Sequence, residues 1–239
     1  LTDSGVFARL DPPAGRSPAL CPWVRDPRGY YAYTQAAWVP IVFSRREVSD
    51  QDAPDSLAAL AQPRWQGKVA LPAPASFSPV VDCLYRFVAD SPALGFSWLE
   101  RMRDNDVMLL LFFPALHDAA LSGVRPVSWG IPSTGDAAAK SLGARSAREG
   151  SVIMLYATAI NRRAPHPAAA RAFVAWLLDP ATQSFMTKNG LSLSLLKGDC
   201  ERLEREPVCG RSVKTSPAEV EEFRRKVWKA LLGDGHIPR

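Results

Sequence analysis

Apolar residues fall in short runs along this chain, and the runs switch between two spacings. From Tyr30 to Val42 (YYAYTQAAWVPIV) aromatic and β-branched residues dominate, which predicts one or two strands interrupted by Pro40. Lys68 to Leu71 predicts a buried strand stopped by Pro72 and Pro74. Val107 to Leu111, Val127 to Ile131 and Val152 to Ile160 predict three more. Between them the apolar spacing turns helical: Val80, Val81, Leu84, Phe87 and Val88 follow Ser78-Pro79, and Phe96 to Met102 makes a further helix. Pro114 opens a helix ending by Gly123, and Gly135 to Leu142 predicts another. Pro167 to Leu178 and Pro180 to Lys188 are consecutive helices, and Ser216-Pro217-Ala218-Glu219 is a capping box opening a last helix to Leu232. Alternation of this kind means parallel βαβ units, so the fold class is α/β. Leu1 to Gly29, rich in Pro, Gly and Asp, predicts an irregular surface segment.

Composition narrows the picture. A chain of 239 residues with 47% hydrophobic content has material for one large core or two smaller ones. The longest apolar run, Val107 to Leu116, is too short to span a bilayer. Basic residues exceed acidic ones by 29 to 24, but they are scattered. The one dense cluster, Arg224-Arg225-Lys226, falls on an amphipathic helix and reads as a solvated face rather than a nucleic-acid patch, since no aromatic interleaving accompanies it.

The four cysteines form no CxxC pair, so neither a metal site nor a cofactor is expected. Cys200 and Cys209 bracket a short polar stretch that predicts a disulfide, worth about 2.7 kcal/mol in the chain-entropy treatment. Such a bond implies an extracytoplasmic protein. Cys83 is expected as a buried free thiol on the apolar side of its helix, and the sequence leaves Cys21 unassigned.

Enzymatic chemistry finds little support. There is no phosphate loop, GxSxG or dinucleotide fingerprint, and no catalytic residue is assigned. His117 stands beside Asp118, but adjacent helical residues point to different faces; His166 is placed to cap a helix before Pro167.

Three helices begin directly after strand or loop segments, and helix starts bind anions through free amides and the positive end of the dipole. Ser78 precedes Pro79, with Ser76 and Phe77 just upstream; Ser133 and Thr134 precede Gly135 and Asp136; Phe113 precedes Pro114. Taken alone, a Ser or Thr at these places is an ordinary N-cap.

Two passages, PRWQGKVALPAPASFSP (63–79) and PHPAAARAFVAWLLDPATQSFMTKNG (165–190), change that reading. With AALSGVRPVSWGIPSTGDAAAKS and SVIMLYATAINRRAPHP, they resemble the type II extracellular solute-binding proteins of ABC importers, in the ferric, phosphonate and sugar-phosphate branch. The resemblance covers nearly the whole chain. It implies a two-lobed α/β fold: 1–43 the remainder of lobe one and the first crossing strand, 44–152 lobe two, and 153–239 the return crossing and the rest of lobe one. It also implies that the family's opening strands and helices lie ahead of Leu1. The ligand contacts implied are Ser76, Phe77, Ser78, Phe113, Ser133, Thr134, Gly135 and Asp136, with Thr34 on the crossing strand. The implied protein is a periplasmic monomer that traps a small anionic solute and hands it to an inner-membrane permease, with no nucleic-acid partner. A sensor of a phosphorylated metabolite, a ferric binder and an enzyme on the same fold are the alternatives. Ferric binders of the family carry adjacent tyrosines near the helix start that here reads Ser133-Thr134-Gly135-Asp136, and none stands there. A carboxylate at Asp136 suits a zwitterionic solute such as an aminophosphonate.

Overall fold

The computed structural model describes residues 5–10, 18–74, 79–132, 140–204, 208–209 and 216–233. They form two compact units: residues 1–37 with 153–211, and residues 38–152 with 212–239. The C-terminal stretch from Ser212 therefore clusters with the second unit, whereas the resemblance implied one lobe from 153 to 239.

In the first unit, β8 (Val152–Asn161) is central. It neighbours β2 (Tyr31–Val39), pairs antiparallel with β1 (Phe7–Ala8) and parallel with β9 (Val208–Cys209). The Thr34 and Thr158 hydroxyls join β2 to β8 at 2.7 Å. Fully buried Gln183, on α6 (Pro180–Lys188), donates from its amide nitrogen to the carbonyls of Thr34 at 3.0 Å and Leu177 at 2.7 Å. Ser192 Oγ accepts the Ala36 amide at 3.0 Å. The segment before Gly29 is not the surface stretch its composition predicts: Leu10, Leu20, Cys21 and Val24 are buried.

The cysteines pair differently from expectation. Cys21 is bonded to Cys200 across a separation of 179 residues, and Cys200 does not pair with Cys209. The reason is backbone register. Leu20 and Leu196 form an antiparallel bridge, Cys21 N–H donates to the Leu195 carbonyl at 2.9 Å, and Lys197 N–H donates to the Ala19 carbonyl at 2.8 Å. That ladder brings Cys21 beside α7 (Cys200–Glu204), with Cα atoms 5.5 Å apart. Cys83 is also disulfide-bonded and only half-buried, not the buried free thiol expected.

The second unit holds a five-stranded sheet in the order β5 (Met108–Leu110), β4 (Val69–Pro72), β6 (Val127–Trp129), β3 (Ile41–Ser44), β7 (Leu142–Arg145). β4 runs parallel to β5 and β6, while β3 is antiparallel to β6 and β7. Every residue of β4 and β3 is buried, as strands covered on both faces require. Val81, Leu84, Tyr85 and Val88 form one buried stripe on α2 (Pro79–Asp90), and Trp98, Leu99 and Met102 form another on α3 (Gly95–Asp104). α8 (Pro217–Leu232) opens with the predicted capping box and buries Val227, Ala230 and Leu231; it packs on α3, with Phe223 edge-on to Phe96 at 6.2 Å. Leu142, expected to end a helix, begins β7 and pairs with Ser44.

One electrostatic contact here is directly testable. Glu149 reaches the start of the short helix α1 (Leu57–Leu60), accepting from the amides of Leu57 and Ala58 at 2.9 Å each and from Ser56 Oγ at 2.7 Å. Desolvation pushes the Glu149 carboxyl up, but the bonds from Ala58, Ser56 and Leu57 outweigh it and hold it below its ordinary value of 4.5. A carboxyl whose folded pKa is depressed stabilises above its unfolded pKa, and that contribution fades as pH falls through the folded one. Glu149→Ala is expected to cost about 0.5–2 kcal/mol at pH 7, the usual range for a lost helix cap. In urea melts run from pH 7 to pH 3, the gap between variant and parent should narrow as the pH drops; a constant gap would show that the carboxylate's charge contributes nothing.

Candidate functional site

Parallel strands deliver their carboxyl ends to one edge of a sheet, and in open α/β sheets that edge is where ligands sit. In the second unit β4, β5 and β6 share that edge. β4 leaves at Pro72, whose carbonyl accepts the fully buried Tyr85 hydroxyl at 2.5 Å, tying the strand end to α2. Burial pushes the Tyr85 phenol far above its ordinary range, so it stays a neutral donor. Ala73 N–H donates to the Leu110 carbonyl at 2.8 Å and extends the ladder past the strands proper.

β5 leads into α4 (Phe113–Leu121), which no side chain caps and which has Pro114 in its first turn. Phe112 is 68% exposed and Phe113 half-buried. β6 leads to Gly130, where the chain runs hard against α4: a Cβ there would lie 2.8 Å from Leu116 Cδ1 and 3.1 Å from Phe113 Cδ1. Glycine is thus what lets this strand end close beneath the Phe113 ring. The His117 ring then bonds the Ile131 carbonyl through Nε2, fastening the exit of β6 to α4. That is a structural task, and Asp118 beside it is exposed.

Of the residues predicted to contact ligand, Phe113 stands on this edge. Thr34 belongs to the first unit, where it is 2% exposed and its hydroxyl is engaged by Thr158. Ser76, Phe77, Ser78, Ser133, Thr134, Gly135 and Asp136 lie outside the described residues. The strands that lead into them, β4 and β6, are parallel neighbours with Val69 opposite Val127 and Ala70 opposite Ser128. Sequence reasoning missed Gly130, Tyr85 and the His117–Ile131 link. A glycine directly after a buried apolar strand was the one available signal, marking a close backbone approach. His166 occupies the N-cap of α5 (Pro167–Leu177), as predicted, but makes no capping bond.

The cluster read as a solvated face also divides. Arg225 and Lys226 are exposed, whereas Arg224 points back to α2 and grips Asp82, Nε to Oδ1 at 2.7 Å and Nη2 to Oδ2 at 2.6 Å. Asp82 is the acidic residue in the first turn of α2. The carboxylate raises the Arg224 pKa further. Among the described residues no group of three or more His, Cys, Asp or Glu could hold a metal ion, and no helix is long and apolar enough to cross a membrane.

Residues 1–206 match the family described as "Bacterial extracellular solute-binding protein". A curated protein of Serratia marcescens, an Fe(3+)-binding periplasmic protein, is 31% identical over 101 residues, a stretch covering 42% of this chain and 29% of that protein. In three dimensions the chain is similar to the substrate binding protein of an ABC transporter from Agrobacterium tumefaciens, with a TM-score of 0.80 at 13% identity, covering 97% of this chain and 74% of that one. It is also similar to a periplasmic thiamin binding protein, with a TM-score of 0.66 at 14% identity, covering 96% and 74%.

Proposed function

Because this chain belongs to the bacterial extracellular solute-binding protein family, we propose that it is the periplasmic receptor of an ABC importer and captures a small anionic solute, an organophosphate or phosphonate, for delivery to an inner-membrane permease. One observation carries the reading: β4, β5 and β6 bring their carboxyl ends to one edge, and two of them lead into the helices α2 and α4. Helix starts present unpaired amides and partial positive charge, which suits an anion without any lysine or arginine in contact. Ser76 and Ser78 ahead of α2, and Ser133 and Thr134 after β6, supply hydroxyl donors, and the ring of Phe113 takes the solute's apolar part.

Ferric iron is the second reading, favoured by the Serratia marcescens relative. Against it stands the chain's own chemistry: Fe(III) calls for hard phenolate oxygens, and no tyrosine occurs from Ser133 to Asp136.

Thermal unfolding against phosphonates, phosphosugars, carboxylates, thiamine and ferric salts separates these readings. A ligand at a hundred times its Kd stabilises the native state by about 2.7 kcal/mol. The expected result is a rise in Tm with a phosphorus-containing anion that is lost in Ser78→Ala/Ser133→Ala. A response confined to ferric salt would replace the anion reading with the iron one.

A further inference from the structure

We infer that Arg224 is a specificity-determining residue of the ligand edge, acting through Asp82: it cancels the negative charge in the first turn of α2 and so leaves that helix start able to accept an anion. The inference rests on the anion-capture reading above and names a residue of that site that does not touch the solute.

The geometry is a closed ion pair. The Arg224 guanidinium meets both carboxylate oxygens of Asp82, the two-pronged arrangement in which arginine pairs most strongly. The two side chains are 20% and 14% exposed, so water screens the pair little. The partners are 142 residues apart in the chain, and the contact exists because α8 returns to the second unit.

Packing holds α8 in place independently of Arg224. Val227, Ala230 and Leu231 are buried, Phe223 meets Phe96 of α3, and the Arg86 guanidinium of α2 lies 4.4 Å over the Phe223 ring. A charge-removing change at Arg224 therefore leaves the scaffold standing and exposes the electrostatic role.

Without its partner, the Asp82 carboxylate would sit about one turn, some 5 Å, from the helix start. There it would offset the dipole's positive end and oppose any anion arriving. A unit charge at such a range and an effective dielectric constant near 20 changes affinity by roughly tenfold or more. The same charge would favour a cation. Arg224 thereby sets which sign of solute this edge prefers.

The test is calorimetric titration of the full chain with methylphosphonate, inorganic phosphate and thiamine, for the parent, Arg224→Met, Asp82→Asn and the double variant. The expected pattern is a roughly tenfold loss of methylphosphonate affinity in Arg224→Met, recovery to within about twofold in the double variant, and a gain for thiamine in Arg224→Met alone. Mere loss of packing would leave the double variant as weak as the single one, and that result would overturn the inference, as would unchanged anion affinity in Arg224→Met. If the parent chain binds neither anion, the capture reading fails and the inference, which rests on it, falls with it; a parent that binds methylphosphonate as tightly as Arg224→Met does would overturn the inference alone and leave the capture reading standing.

Discussion

Replacing Cys21 and Cys200 together by alanine is expected to lower the stability of the chain by about 4–5 kcal/mol, read as a shift of the urea midpoint. The bond joins positions 179 residues apart. In the chain-entropy treatment a closed loop of that size constrains the unfolded chain by about 5 kcal/mol, roughly twice the value for the ten-residue loop that spacing alone predicted. Both sulfurs lie in buried residues, Cys21 at 2% and Cys200 at 7% exposure, so alanine fills the site without stranding a polar group. The surrounding ladder from Ala19 to Lys197 keeps the two segments side by side in the native state, so the loss falls mainly on the unfolded state's freedom. Dithiothreitol should destabilise the parent by more than the double substitution does, because it also opens the bond to Cys83. A loss under about 1 kcal/mol would mean that the unfolded chain already holds these segments together. Peptide mapping without reductant should recover the Cys21–Cys200 link directly, and native thiol labelling should modify no cysteine.

That pairing marks where sequence reading stopped. Periodicity is a local signal, and it located β2 and β3 on either side of Pro40, β4 up to its end at Pro72, the stripe on α2 and the capping box of α8. Each of these is decided within a few residues by propensity, proline and side-chain caps. The contacts that were missed join residues far apart in the chain. Cys21 meets Cys200, Arg224 meets Asp82, and Ser192 receives the amide of Ala36. No spacing rule reaches across 142 or 156 residues.

The candidate site shows the same division. Ser78 and Phe113 were candidates because a residue before a helix-opening proline is a local pattern; Phe113 falls on the edge, and Ser78 lies outside the described residues. The fastenings that shape the edge, Tyr85 to Pro72 and His117 to Ile131, depend on how α2 and α4 pack against the sheet. Thr34 was named from its place on a crossing strand, yet its hydroxyl is spent on Thr158. The pairing of Arg224 was illegible for a related reason. Arg224 reads as one of three basic residues on a helix until its partner on α2 is known.

Gly143→Ala is expected to cost about 3 kcal/mol, a fall of roughly 6–12 °C in Tm for a chain of this size. Gly143 on β7 stands directly opposite Phe43 on β3. A Cβ built there would lie 2.1 Å from Phe43 Cζ, 2.4 Å from Cε2 and 2.7 Å from Cε1. The ring covers the glycine and has no open side to retreat to, because Phe43 is 2% exposed. The backbone cannot yield cheaply either: β3 lies between β6 and β7 in the sheet, so moving it disturbs two ladders at once. This cost is steric and not conformational, since Gly143 does not occupy the left-handed region. Gly143→Ala combined with Phe43→Leu should therefore recover part of the loss, giving favourable coupling in a double-mutant cycle. Gly198→Ala is the control. Nothing lies within 4 Å of a Cβ at that position, so the same substitution should be neutral or slightly stabilising there. Equal effects at the two glycines would mean that the added methyl acts through the unfolded chain alone and that the Phe43 ring does not fill the space over Gly143.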